Sequence, residues 1–366
     1  MGCGERKGSD SPQPDPVETI VAHARGFTIQ RNDGITTLEV NAPWPGSKRS
    51  FKYLLVPKER LATMRFAADA YDAIIGVPVE KMVLTSTTHI PALEALGELD
   101  ALVGFPNTDL ISSPEARKLV AQGRVKDLGV NEGVNTEIAL SLEPEVVMGF
   151  GINDTNRGYE TLIQAGIAVV YNGDWVEQTP LGKAEWIKFF APFFQKEVEA
   201  DRVFSEIERA YTRTRELAQK AGHRPTVLTG GLYRDVWHVA GGESWLAHFL
   251  KDAHAHYLWE DRPGTGGIAL GLEAVLAQAR DAEFWLNPSY HTSYKELEAA
   301  NPHYGQFEAF ANRKVFSNAI EKGEKGGIVF YELAPQRPDL VLADLIHILH
   351  PELLPEHELR FFKPLE

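Results

Sequence analysis

"KAEWIKFFAPFFQKEVEADRVFSEIERAYTRTRELAQKAG", residues 183–222, has no glycine before its last position and a single proline, Pro192. Proline lacks the amide donor and crowds the turn before it, so the stretch predicts a short helix followed by a longer one. Val198, Val203, Ile207, Tyr211 and Leu217 recur at roughly helical spacing and give the longer helix one apolar stripe. From Glu197 to Ala221 such a helix is on the order of 37 Å long, enough to cross a whole domain.

Both flanks of this stretch read differently from it. From Lys81 onward, apolar strand-like runs alternate with amphipathic ones: "MVLTS" with "HIPALEALG", "ALVGF" with "SPEARKLVAQG", "TEIALSLE" with "EVVMGF", "GYETLIQAG" with "AVVY". Beyond Gly222 the alternation resumes through "TVLTGG", "SWLAHFLKDA", "GLEAVLAQA", "EFWLN", "SYKELEAA", "KVFSN" and "GGIVFY", and closes on a helix in "RPDLVLADLIHILHPELL". Such alternation builds parallel or mixed sheets covered by helices. The expected fold is therefore α/β: two Rossmann-like lobes, each a central sheet flanked by helices, joined by one long helix with a ligand cleft between them. The expected division is a flexible tether over 1–20, an N-terminal lobe over 21–195, a bridging helix over 196–222 and a C-terminal lobe over 223–366. "FTIQRND", "GITTLEV" and "FKYLLV", within 25–56, read as edge strands, and Asn32-Asp33-Gly34 supplies the positive-φ positions of a tight hairpin.

Composition narrows the function. The 366 residues are 43% hydrophobic, ample for packed cores. Lys and Arg number 37 against 51 Asp and Glu, a net charge of −14 with no basic block, which argues against nucleic acid as a partner. No apolar run approaches the roughly 20 residues that span a bilayer. The one cysteine, Cys3, heads a polar stretch rich in Gly, Pro and Ser, "MGCGERKGSDSPQPD", so no intramolecular disulfide can form. A lone cysteine at the head of a tether resembles the lipid-bearing first residue of a mature bacterial lipoprotein. The myristoylation pattern fits less well, because Arg6 stands where Ser or Thr is required.

Four segments, "KMVLTSTTHIPALEALGELDALVGF", "VNTEIALSLEPEVVMGF", "PLGKAEWIKFFAPFF" and "RPDLVLADLIHILHPEL", resemble in order and spacing the helix-bridged periplasmic substrate-binding proteins of ABC importers for iron-siderophores and cobalamin. The resemblance covers about residues 78–355. It implies a monomer in the periplasm or cell envelope, held to the membrane only by an N-terminal lipid. Its partners would be a small-molecule metal chelate (a ferric siderophore, cobalamin or haem) and an ABC permease. It also implies that each lobe carries a glutamate near the start of a surface helix, where arginines on the two permease subunits meet it. Glu137 in "VNTEIAL" and Glu273 in "GLEAVLA" match those positions. Taken singly, each acid is better explained by the preference for carboxylates in a first helical turn. As a pair in corresponding helix-then-strand units, they favour docking.

Loops that follow strands should line the cleft. They carry Thr87 and His89 after "MVLT", Phe105 after "ALVG", Trp175 after "AVVYNGD", Tyr233, Arg234 and Trp237 after "TVLTGG", and Tyr290 and His291 after "EFWLNPS". Aromatic rings on loops suit a bulky, partly apolar chelate, and Arg234 could pair with its negative charge. Trp186, Trp245 and Trp285 fall inside helix or strand patterns and read as core. Twelve histidines, among them the pairs His254/His256 and His347/His350, raise bare zinc or manganese capture as the alternative. An enzyme is disfavoured: "TSTTH" lacks a nucleophile elbow, and "GTGG" and "GGLYRDVWHVAGG" lack phosphate-cradling spacing.

Overall fold

The computed structural model describes residues 17–18, 21–131, 133–153 and 155–366. Cys3 and most of the expected tether lie outside the described residues.

Two parallel sheets organise the chain. In the first lobe Ala168–Asn172, Val146–Phe150, Met82–Leu84, Leu102–Phe105 and Lys126–Asp127 lie side by side in that order, all parallel. In the second, His256–Tyr257, Thr226–Thr229, Phe284–Leu286 and Val315–Ser317 are parallel, and Lys363–Pro364 closes the edge antiparallel. Parallel strands are covered on both faces, which is why their sequences read as continuous apolar runs rather than alternating ones. In both lobes the helices fall where the amphipathic stretches place them, among them Ile90–Leu96, Pro114–Ala121, Trp245–Asp252, Leu272–Ala279 and Pro338–Leu349.

The bridging helix runs Glu197–Ala218, 22 residues or about 33 Å. Phe204 and Ile207 belong to the first hydrophobic core, Tyr211 and Ala218 to the second, so one helix face seals both lobes. Two expectations are corrected here. Val198 is 86% exposed, because the first turn precedes contact with the core and Ala200 takes the buried place. The break before the helix is not at Pro192, which lies inside the helix Ile187–Phe194. It falls at Gln195, in left-handed conformation (φ 58°), where Lys196 N donates to Ala191 O at 3.0 Å and caps the preceding helix.

The N-terminal strands are not edge strands of the lobe sheet. Phe27–Asn32, Ile35–Asn41 and Ser50–Pro57 form a sheet of their own with Val17–Glu18 and the parallel strand Ala73–Val77. The hairpin turn is as expected, with Asp33 and Gly34 both at positive φ. Two carboxylates bind the segment leading into this sheet. Glu185 accepts from the amides of Ala22, His23 and Ala24 at 2.7 to 3.0 Å, and Glu177 accepts from those of Arg25 and Gly26 at 2.7 Å.

A further correction concerns "GGIVFY", which reads as a strand but contains the start of a one-turn helix, Val329–Leu333. So short a helix gains little from its own hydrogen bonds. Tertiary contacts fix it: Phe330 packs on Trp245, Phe361 and Phe362, and Glu332 reaches across to the other lobe. The Glu332 carboxylate accepts from Ser112 N at 2.8 Å and Ser113 N at 2.7 Å, while the Ser113 hydroxyl donates to Glu94. Glu332 is 3% exposed, and burial pushes its carboxyl up to about 7; the two amide bonds oppose that shift and the neighbouring Glu94 adds to it.

A folded carboxyl that holds its proton more tightly than an unfolded one stabilises the fold below the unfolded value of 4.5, and that contribution is lost as pH rises through about 7. Between pH 5 and 8 the unfolding free energy of the wild type, from urea titration, should therefore fall relative to that of Glu332→Gln, by a difference on the order of 2 kcal/mol. Comparing the two proteins cancels the opposite trend from His89, which burial keeps neutral below its usual range. Parallel curves for the two proteins would refute the assignment.

Candidate functional site

In a parallel sheet every strand ends at the same edge, so the loops after strands converge there. In the first lobe Thr85 ties two of these loops together. Its hydroxyl donates to Met148 O at 3.2 Å and accepts from Phe150 N at 2.7 Å. The cavity above, about 280 Å³, is lined by Ser86 and Thr87, by Phe105, Asn107 and Leu110, and by Val130, Asn131 and Phe150. A smaller space of about 120 Å³ adjoins it through Asn131 and Phe150, and is walled by Gly151, Ile152, Asn153, Thr155 and Asn156. Trp175 packs on Phe150 in a tilted contact, with ring centroids 5.4 Å apart. Its loop is held by Lys183, whose ammonium donates to the carbonyls of Asp174 and Trp175 at 2.9 and 3.0 Å; burial holds that ammonium below its ordinary range.

The second lobe presents tyrosines at its own strand ends. Tyr233 and Tyr290 are 63% and 71% exposed, and the Arg234 guanidinium lies 5.3 Å from the Tyr233 ring centroid. Tyr233 sits on the hairpin Gly231–Tyr233/Val236–Ala240, which with Gly267–Leu270 forms a small antiparallel sheet. Gly231 packs so closely on Pro288 and Ser289 that a Cβ there would lie 2.9 Å from Ser289 Oγ, which keeps this hairpin beside the Tyr290 loop. Tyr331 neighbours Tyr290, and burial together with Tyr290 pushes the Tyr331 phenol up to about 12. His291 is half-buried on the same loop.

Two expected cleft residues are placed elsewhere. Trp237 is fully buried on a strand, ringed by Trp285, Tyr304 and Phe307, with Nε1 donating to Thr229 O at 3.0 Å. The hairpin turns its side chain into the core because strand residues alternate faces, and Trp237 is the inward one between exposed Val236 and His238. His89 is also fully buried, packed on Phe190 in a tilted contact with Nε2 4.0 Å from Asp174 Oδ1. It begins the helix after the loop rather than lining the loop itself. Phe105, almost wholly buried, still lines the cavity. The sequence reading missed Tyr331, hidden by the strand-like run around it. It also missed Leu110, Val130, Ile152 and the asparagines of "GFGINDTNRG", although that loop follows a strand like the others.

A larger space of about 630 Å³ lies beside Glu332 and Glu94, lined from both lobes: by Ser112 and Ser113 on the segment after Leu102–Phe105, and by the 321–324 loop after Val315–Ser317. No group of three or more metal-ligating side chains converges among the described residues. His347 Nδ1 pairs with Leu354 O at 2.7 Å and His350 Nε2 with Ala253 O at 3.0 Å.

Glu137 and Glu273 are both exposed, each the second residue of its helix, Thr136–Ser141 and Leu272–Ala279. Asn135 already caps the first of these helices, its side chain accepting from Ile138 N at 3.0 Å. Each helix leads into the strand that pairs with the first strand of its lobe's parallel sheet: Val146–Phe150 beside Met82–Leu84, and Phe284–Leu286 beside Thr226–Thr229. A crossover helix runs back against its strands, so both acids lie toward the strand-end edge.

The periplasmic binding protein family matches residues 82–318. An uncharacterised lipoprotein of Methanocaldococcus jannaschii is 26% identical over 298 residues, 79% of this chain and 69% of that protein. A periplasmic binding protein from Veillonella parvula superposes with a TM-score of 0.58 at 19% identity, over 96% of this chain and 99% of that one. A periplasmic haem-binding protein from Pseudomonas aeruginosa does so with a TM-score of 0.57 at 18% identity, over 79% and 98%. With two parallel sheets bridged by one helix and more than half its length matched, the chain belongs to the periplasmic binding protein family, the solute-binding partners of ABC importers, and is not an enzyme.

Proposed function

We propose that the protein captures a metal chelate of the siderophore, cobalamin or haem kind and delivers it to an ABC permease from a lipid-anchored position at the cell envelope. Residues 21–195 and 223–366 act as the two lobes and 196–222 as the bridge. The observation that carries the ligand reading is the pair of widely exposed phenols, Tyr233 and Tyr290, at the second lobe's strand ends. Large rings left in water on neighbouring loops gain most by covering a bulky, partly apolar ligand. Thr87 and Trp175 contribute from the first lobe, Arg234 and His291 from the second. Glu137 and Glu273 meet the permease, and Cys3 carries the lipid. The lipoprotein among the relatives supports the anchor.

Protein purified from its own host without added ligand should carry a coloured chelate at one equivalent, seen by absorbance, metal analysis and native mass spectrometry. Apo protein that ignores haem, cobalamin and ferric siderophores but binds Zn²⁺ stoichiometrically, and loses it with His291→Ala, would replace this reading with bare-metal capture.

A further inference from the structure

At one place the two lobes touch backbone to backbone. The second-lobe turn between Lys322 and Ile328 is a closed loop: these two residues form a β-bridge, Gly323 N donates to Gly327 O at 2.8 Å, and Gly326 N donates to Gly323 O at 2.9 Å. A Cβ on Gly323 would lie 2.6 Å from Ser112 Cα, and one on Gly327 would lie 2.7 Å from the Leu110 carbonyl carbon and overlap its oxygen. Ordinary contact begins at 3.4 Å, so neither position can hold a side chain while the lobes sit this close. Gly326 has φ 94°, but Gly323 and Gly327 are not in the left-handed region. What excludes a side chain from them is the other lobe, not the conformation of their own turn.

Both sides of this seam are tied down. On the first lobe, Thr108 N and Oγ1 donate to Asp127 Oδ2 at 2.7 and 2.8 Å, and the Ser113 hydroxyl caps the helix Pro114–Ala121 by accepting from Ala116 N at 3.0 Å. On the second, Val329 N donates to Glu321 O at 3.1 Å, and the helix that starts there carries Glu332, which takes the amides of Ser112 and Ser113. The same helix packs on the first-lobe turn Thr87–His89. Each side also carries a residue of the ligand site. Leu110, 52% exposed, lines the first-lobe cavity together with Thr87, and Tyr331 neighbours Tyr290.

We propose that Gly323, Gly327 and Glu332 are positioning residues: they form a stop between the lobes that sets the separation of Leu110 and Thr87 from Tyr331 and Tyr290, and with it the size of chelate the cleft accepts. This rests on the chelate reading given above and adds what fixes the width of the cleft. A binding site works only while its walls stay within about 0.5 Å of the productive geometry. A methyl group set into the seam forces the two backbones apart by on the order of 1 Å.

The test compares Gly323→Ala and Gly327→Ala with the wild type and with Gly305→Ala, where a Cβ would meet nothing within 4 Å. All four proteins carry Cys3→Ser and nitroxide labels at Glu160→Cys and Glu298→Cys, exposed positions on a helix of each lobe. Either seam variant should shift the mean label separation of the apo protein by roughly 2 Å. It should also weaken, at least tenfold, whichever of haem, cyanocobalamin and ferrioxamine B the wild type binds most tightly, with the circular dichroism unchanged. Gly305→Ala should alter neither quantity. The two seam variants act at separate contacts, so one of them suffices if the other misfolds. An unshifted separation in a folded seam variant overturns this inference and leaves the chelate reading standing, as does a shifted separation with wild-type affinity. Binding of none of the three probes by the wild type overturns both.

Discussion

Uptake should be abolished by the double reversal Glu137→Arg with Glu273→Arg, in cells carrying the matching permease, while chelate affinity stays at the wild-type value. Both acids are exposed at the second position of their helices, apart from the loops that line the cleft. Setting a positive charge against a permease arginine turns attraction into repulsion, and like charges across an interface cost several kcal/mol. Helix electrostatics alone predicts something much smaller: each reversal costs about 0.3 to 1 kcal/mol of stability and leaves delivery untouched. The first helix is further insulated by Asn135, which holds the capping bond whatever stands at 137. Uptake measured beside a melting curve separates the two. Normal transport by the double variant would refute docking, even if the melting temperature fell.

Trp237→Ala should behave as a core deletion rather than as a loss of ligand contact. The ring is fully buried among three aromatic rings at centroid distances of 5.4 to 5.7 Å, and its indole N–H is spent on Thr229 O. Emptying that space costs about 3 to 5 kcal/mol, and the freed Thr229 carbonyl adds to the loss. A fall in melting temperature on the order of 10 °C follows for a protein of this size. Trp175→Ala is the contrasting case. Its ring is half-buried against Phe150, which lines the cavity, so the expected effect is about 1 to 3 kcal/mol of binding with the fold intact. If Trp237→Ala kept its melting temperature and lost only affinity, the ring would have to face the cleft after all.

Lobe, long helix and lobe were legible because each rests on a local rule. The 3.6-residue stripe through Ile207 and Tyr211 specifies a helix without reference to its neighbours. The apolar runs "MVLTS", "EVVMGF", "TVLTGG" and "EFWLN" specify buried strands for the same reason. The hairpin at Asp33-Gly34 was equally local. The matched positions of Glu137 and Glu273 were visible too, since a helix start and the strand after it are sequence features.

The facing of single side chains was decided by tertiary structure. Trp237 and Tyr233 are four residues apart in one hairpin, yet one is core and the other solvent-exposed, because the pleat and the packing against Trp285 choose the face. His89 sits on a stretch rich in hydroxyls that reads as a binding loop, but the chain turns into the helix Ile90–Leu96 at that residue and carries the ring inside. Val329–Leu333 reads as a strand by composition and becomes a helical turn because Phe330 and Glu332 have partners far away in sequence. Spacing and composition determined which elements exist and in what order. Which residues meet across the cleft, and the buried Glu332 that joins the lobes through Ser112 and Ser113, 220 and 219 residues distant, depended on contacts between segments whose separation no local pattern records.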